Sequence, residues 1–153
     1  VITLERACQE DASALLAAKI DAFSGDVRLY GYGPPGYDSQ EDVLNALGCP
    51  DKHYFKILSD GEIIGGLCAQ DMGGGHFSLN SLYVLTDRHS EGTGSAAMQL
   101  LFDAYPGVAR WTTETPYLSV RNHHFYEKLG FVKTGQTAPE ADGFYLFLYE
   151  RKR

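Results

Sequence analysis

Arg88-His89-Ser90-Glu91-Gly92-Thr93-Gly94 is the stretch whose reading decides the fold. Ahead of it runs an apolar, strand-like segment, Leu82-Tyr83-Val84-Leu85, and behind it a run of helical character, Ser95-Ala96-Ala97-Met98-Gln99-Leu100-Leu101-Phe102. Strand, glycine-bearing turn, helix is an arrangement that makes an anion site without basic side chains. The first turn of a helix has unpaired N–H groups, and its dipole favours negative charge there. Gly92 and Gly94 carry no Cβ, so a diphosphate can approach the backbone closely. Alone, a Gly-x-Gly pair before a helix is more often an ordinary tight turn.

A second segment changes the balance: Arg121-Asn122-His123-His124-Phe125-Tyr126-Glu127-Lys128-Leu129-Gly130-Phe131. Together the two resemble the GNAT superfamily of N-acetyltransferases, which use acetyl-coenzyme A. The family's first motif, Arg/Gln-x-x-Gly-x-Gly/Ala after a strand, is matched at Gly92-Thr93-Gly94, with His89 at the Arg/Gln position. Its second, Tyr-Glu-Lys-x-Gly-Phe at the end of a helix, is matched by Tyr126 to Phe131. The resemblance implies a cofactor site for acetyl-CoA formed by Leu82, Tyr83, Val84, His89, Ser90, Glu91, Gly92, Thr93, Gly94, Ser95, Asn122 and Tyr126. Two departures stand out. His89 replaces Arg or Gln, which the site should survive because most diphosphate contacts in the family come from backbone N–H groups. Ser119 stands where the family often has Asn, and Asn122 where it has Ala. Asn122 and Tyr126 are one helical turn apart and share a face, so Asn122 is expected to take over a polar contact to the cofactor.

A chain of 153 residues suggests one domain, 1–153, able to bury an adequate core. Its 44% hydrophobic and 22% charged content are ordinary for a globular protein. The formal net charge of −7 argues against general nucleic-acid or anionic-membrane binding, and is compatible with a cationic or neutral substrate. Cys8, Cys49 and Cys68 lie far apart without metal-ligand spacing, and an odd number without a framework favours a reducing, cytoplasmic setting. No signal peptide or membrane span is evident between Val1 and Arg153.

Periodicity orders the elements. Val1 to Ala7 alternates as a strand, and Glu10-Asp11 opens a helix with Ala14, Leu15, Ala18 and Phe23 as its expected buried stripe. Tyr30-Gly31-Tyr32-Gly33-Pro34-Pro35-Gly36-Tyr37 is irregular. A short helix follows from Ser39, its N-cap, to Leu47. Strands are expected at His53–Ser59, Glu62–Ala69 and His76–Leu85, joined by Asp60-Gly61 and by Gly73-Gly74-Gly75. Helix Thr93–Ala104 stops before Pro106; a strand, Ala109–Thr115, stops at Pro116; and the helix bearing Tyr126 ends at Gly130. Phe131–Thr134 and Gly143–Tyr149 complete an order βααβββαβαββ. This is the order of the resembled family, an α/β fold with a mixed central β-sheet flanked by α-helices.

Attack of an amine on a thioester expels a thiolate, and a phenol with a pKa of about 10 stays protonated at neutral pH and can donate to that sulfur. In the resembled family the Tyr of this motif has that role, which here falls on Tyr126; the alternative is a ring that only packs the core. A base is harder to place. Ser78-Leu79-Asn80-Ser81 carries no carboxylate where many relatives have one, leaving Glu114 as the candidate, with Asp71 and His76 behind it. Glu114 reads first as an outward-facing, solvated side chain, and only second as a base. Tyr30, Tyr32 and Tyr37 could form an aromatic wall for the acceptor, or could equally pack their own loop. His123 and His124 are adjacent, about 100° apart on a helix, and so suit a cap or surface role better than one shared metal; no metal is expected.

The expected function is transfer of an acetyl group from acetyl-CoA to a primary amine, small molecule or peptide, by direct attack. The expected partners are acetyl-CoA and the amine, without nucleic acid or membrane, and a homodimer is common among similar proteins. A catalytically silent acyl-CoA-binding domain is the alternative. A P-loop lacks its Lys-Ser/Thr pair here, and no Gly-x-Gly-x-x-Gly supports a dinucleotide site.

Overall fold

Alternation of Ile2 and Leu4 with polar neighbours makes an edge strand, β1 (Ile2–Arg6), in the computed structural model, which describes residues 1–89 and 91–152. Helix α1 (Ala12–Tyr30) follows and ends at Gly31, whose left-handed backbone (φ 80°) carries its N–H to the Val27 carbonyl. Ala12, Leu15 and Ala18 are its buried stripe. Ala14, expected inside, is exposed, and Phe23 is half-buried. The stripe is set by where the sheet lies rather than by composition, since alanines occupy several faces of this helix. Helix α2 (Gln40–Gly48) begins where Ser39 accepts the Asp42 N–H at 3.1 Å.

Strands β2 (Lys52–Ser59), β3 (Glu62–Asp71) and β4 (His76–Val84) form a meander. Asp60 (φ 52°) and Gly61 (φ 82°) make the left-handed pair that a two-residue hairpin turn requires. Helix α3 (Thr93–Ala104), β5 (Arg110–Pro116), α4 (Val120–Lys128), β6 (Val132–Gln136) and β7 (Leu146–Lys152) complete the chain. The element order is therefore the expected one, an α/β fold whose seven strands lie in the sequence β1-β2-β3-β4-β5-β7-β6. All neighbours are antiparallel except β4 and β5.

That parallel pair positions the site. β4 and β5 are bonded only from His76↔Arg110 to Leu79↔Thr113, and then part. Asn80 is skipped in the β3–β4 register, where Cys68 pairs with Ser81 but Ala69 with Leu79. This bulge switches the parity of β4, so that Phe77 and Leu79 before it and Leu82 and Val84 after it all meet the same core. One face of the sheet packs Met98, Leu101 and Phe102 of α3 around the fully buried Trp111; the other packs Leu15, Val43, Tyr54, Cys68 and Tyr83 beneath α1 and α2.

Two expectations are corrected. The last strand begins at Leu146, not Gly143, because Asp142-Gly143 is spent on a turn: Gly143 (φ 87°) donates to the Glu140 carbonyl at 2.8 Å and the Phe144 N–H to Asp142 Oδ1 at 3.0 Å. His123 is neither a cap nor a surface residue. It is 8% exposed, its ring is stacked 4.5 Å from that of Phe147, and its Nε2–H donates to the Pro116 carbonyl at 3.0 Å.

Candidate active site

Where β4 and β5 part, a cleft of about 440 Å³ opens. Its walls are the end of β4, the turn into α3, one face of α4 and one face of α1. The expected cofactor residues Leu82, Tyr83, Val84, His89, Gly92, Thr93, Gly94, Ser95, Asn122 and Tyr126 all line it. The side chain of Glu91 is turned away to Arg88, 3.8 Å distant, and does not line the cleft. Ser90 lies outside the described residues.

The two glycines of the turn have different tasks. Gly92 is the N-cap of α3 with φ 75°, and among the described residues no side chain caps the helix, which leaves the N–H groups of its first turn to a ligand. Gly94 has no unusual φ; a Cβ there would stand 3.1 Å from the Phe125 ring, so its missing side chain lets α4 pack against α3. His89 folds back under the turn. Its Nδ1 accepts from the Arg121 guanidinium at 3.0 Å, which obliges Nε2 to carry the proton it donates to the Val84 carbonyl at 2.8 Å. Arg88, Arg121 and Lys128 also line the cleft, giving an acidic protein a basic wall beside the uncapped helix. This combination of uncapped N–H groups, a close-approach glycine and cations fits a diphosphate-bearing group. Arg121 and Lys128 were missed in the sequence because their helix face could not be assigned without α3.

Tyr126 stands where the cleft meets the core. It is 8% exposed, with its ring edge-on to Phe125 and to Phe131. Burial pushes its hydroxyl up to about 12, against the opposing pull of a hydrogen bond with Thr113. It is therefore a firmly protonated donor. Asp26, one residue that the sequence gave no reason to select, reaches the cleft from α1 half-buried; burial raises its pKa, while Arg121 and His89 pull it down.

The remaining candidates separate. Glu114 is exposed on β5, out of phase with the buried Thr113 and Thr115, and does not line the cleft. Tyr30 lines the cleft and donates its hydroxyl to the Leu118 carbonyl at 3.2 Å, strapping α1 to the β5–α4 loop. Tyr32 borders a smaller adjoining recess and sits edge-on to Phe144, 5.3 Å between centroids. Tyr37 packs on its own loop: a Cβ at Gly33 would lie 2.7 Å from its ring. Among the described residues no cluster of His, Cys, Asp or Glu is arranged to hold a metal ion, and no helix is long and apolar enough to cross a membrane.

Residues 18–131, which contain the glycine turn, the parted strands and Tyr126, match the family model described as Acetyltransferase (GNAT) family. The chain belongs to the GNAT acetyltransferase family. Its GNAT fold superposes on the PaiA N-acetyltransferase of Thermoplasma acidophilum in complex with coenzyme A, with a TM-score of 0.81 at 16% identity over 100% of this chain and 99% of that one. The ribosomal-protein-S18-alanine N-acetyltransferase of Escherichia coli gives a TM-score of 0.79 at 18% identity, covering 99% and 94%. In sequence, this GNAT chain is 36% identical over 95 residues to the uncharacterized protein YrkN of Bacillus subtilis (strain 168). That match takes in 61% of this chain and spans about half of YrkN, 51%.

Proposed function

We propose that this GNAT protein is an acetyl-CoA-dependent N-acetyltransferase that transfers the acetyl group directly to a primary amine. The observation that carries the reading is one cleft lined both by the helix N-terminus behind Gly92 and by Tyr126, whose hydroxyl is protonated. The diphosphate would rest on the first turn of α3, with Arg121 beside it, and the pantetheine arm would lie along the free edge of β4 at Leu82–Val84, where no β5 partner takes up the backbone. Coenzyme A in the complex of the Thermoplasma acidophilum relative supports the choice of cofactor.

In the transfer the amine nitrogen forms a bond to the thioester carbonyl carbon and the carbon–sulfur bond breaks, leaving the electron pair on sulfur. Tyr126 donates its proton to that sulfur and is reprotonated from water, while the nitrogen, having lost one proton to solvent to become the neutral amine, loses a second after attack and keeps one as the amide N–H. Holding both reactants in one cleft supplies the orientation.

The exposure of Glu114, and the absence of a carboxylate at Ser78 to Ser81, favour a second reading, an acyl-CoA-binding domain without turnover. A thiol-release assay with acetyl-CoA and a panel of primary amines decides between them. Amine-dependent release supports the enzyme. Tight CoA binding without release for any amine supports the binding domain.

A further inference from the structure

Ala22, Phe23, Asp26 and Tyr30 line the cleft from one face of α1, at the spacing that brings side chains into register on a helix. Asp26 is the one acid among the described residues that line it, and it makes no hydrogen bond or ion pair with another described residue. The cations Arg88, Arg121 and Lys128 lie on the turn and α4 instead, so the cleft is divided by charge. The basic wall suits a diphosphate. The acid wall does not.

Asp26 also borders the adjoining recess, together with Tyr30 and Ser119. There the other walls are Tyr32, Gly33, Pro34, Pro116 and Leu118, whose side chains, where present, are apolar or aromatic. The recess has room for about one water, 10 Å³, and two of its lining residues, Tyr30 and Leu118, are joined by a hydrogen bond. Asp26 thus stands where the cleft and the recess adjoin, with the rings of Tyr30 and Tyr32 on the recess side.

We propose that Asp26 anchors the ammonium group of the acceptor, and that the acceptor is a primary amine carried on an apolar or aromatic body. This rests on the reading of the cleft as an acetyl-transfer site. A half-buried carboxylate with no hydrogen bond or ion pair among the described residues, attracted only through space by Arg121 and His89, is costly to keep ionised, and burial raises the pKa of Asp26 accordingly. An ammonium at hydrogen-bond distance offsets that cost, whereas a neutral hydroxyl of the same shape offsets less of it. The apolar rim rejects a second charge on the acceptor for the same reason.

The test uses the full chain and two ligands of one shape: tyramine, which carries an ammonium, and tyrosol, which carries a hydroxyl in its place. Calorimetry first titrates CoA alone, then each ligand into the CoA-loaded protein. The expected result is binding of tyramine about tenfold tighter than tyrosol in the wild type, and within about twofold in Asp26→Asn, with part of the preference kept in Asp26→Glu. The unfolding midpoint should stay near wild type in Asp26→Asn, since that change removes a charge that the fold disfavours, and each ligand is titrated into Asp26→Asn protein saturated with CoA at that variant's own affinity. Tyramine failing to bind while CoA binds, a wild type without preference, or an Asp26→Asn protein that keeps the tenfold preference overturns the proposal. Failure of CoA itself to bind overturns the acetyl-transfer reading beneath it.

Discussion

Arg121 on α4 donates to His89 Nδ1 at 3.0 Å, and the same ring donates from Nε2 to the Val84 carbonyl at 2.8 Å. One imidazole therefore joins three walls of the cleft: α4, the glycine turn and β4. The histidine at the motif's Arg/Gln position holds the turn onto β4, while the positive charge comes from Arg121, 32 residues further along the chain.

Arg121→Ala should weaken CoA binding about ten- to a hundredfold, the range for losing a hydrogen bond to a charged group, about 1.5–3 kcal/mol. The remaining affinity should depend less on salt. Calorimetry at two ionic strengths checks this. An unchanged dissociation constant would mean that Arg121 serves only to hold His89.

The glycines should respond differently. Gly92→Ala meets no atom within 4 Å but must adopt φ 75°, so its cost is a backbone cost of about 1 kcal/mol, read from urea unfolding. Gly94→Ala presses on Phe125 at 3.1 Å and should shift the packing of α4. Gly94→Asp adds charge as well as bulk and should abolish CoA binding in a folded protein; retained affinity would move the diphosphate elsewhere.

Tyr126→Phe should keep the fold and the CoA site, since one oxygen is removed, and lower kcat by about 10² to 10⁴-fold, the usual contribution of a general acid. The sign of the pH effect follows from the raised pKa of about 12. The protonated, active form persists as pH rises, so wild-type kcat should show no alkaline fall from this group below about pH 10. Wild-type turnover in Tyr126→Phe, measured where chemistry limits the rate, would leave Tyr126 as core.

The three tyrosines should divide as they do in space. Tyr30→Phe removes the strap to Leu118 and, with Tyr32→Ala at the adjoining recess, should alter KM for the amine more than CoA affinity. Tyr37→Ala should lower the unfolding midpoint and leave KM alone, because its ring covers Gly33 rather than the cleft. A KM effect of Tyr37→Ala equal to that of Tyr32→Ala would reverse this assignment.

What the sequence determined by itself was whatever short-range chemistry sets. Period-2 and helical spacing marked all the elements in order, Asp60-Gly61 fixed a hairpin, Pro106 a helix stop, and Gly92-Thr93-Gly94 with Tyr126 the two motifs. The tertiary structure alone decided what depends on pairing and packing between distant segments. The parting of β4 from β5 after Leu79 makes the cleft, and it arises from ladder register and the skipped Asn80, not from any local preference. The Asp142-Gly143 turn displaced β7, and with it came Phe147 over His123, a contact no helical periodicity could announce. Asp26 and Arg121 face one cleft from helices almost a hundred residues apart, and a charged side chain on an amphipathic helix reads the same whether it meets solvent or a substrate. Only the packed neighbours distinguish the two.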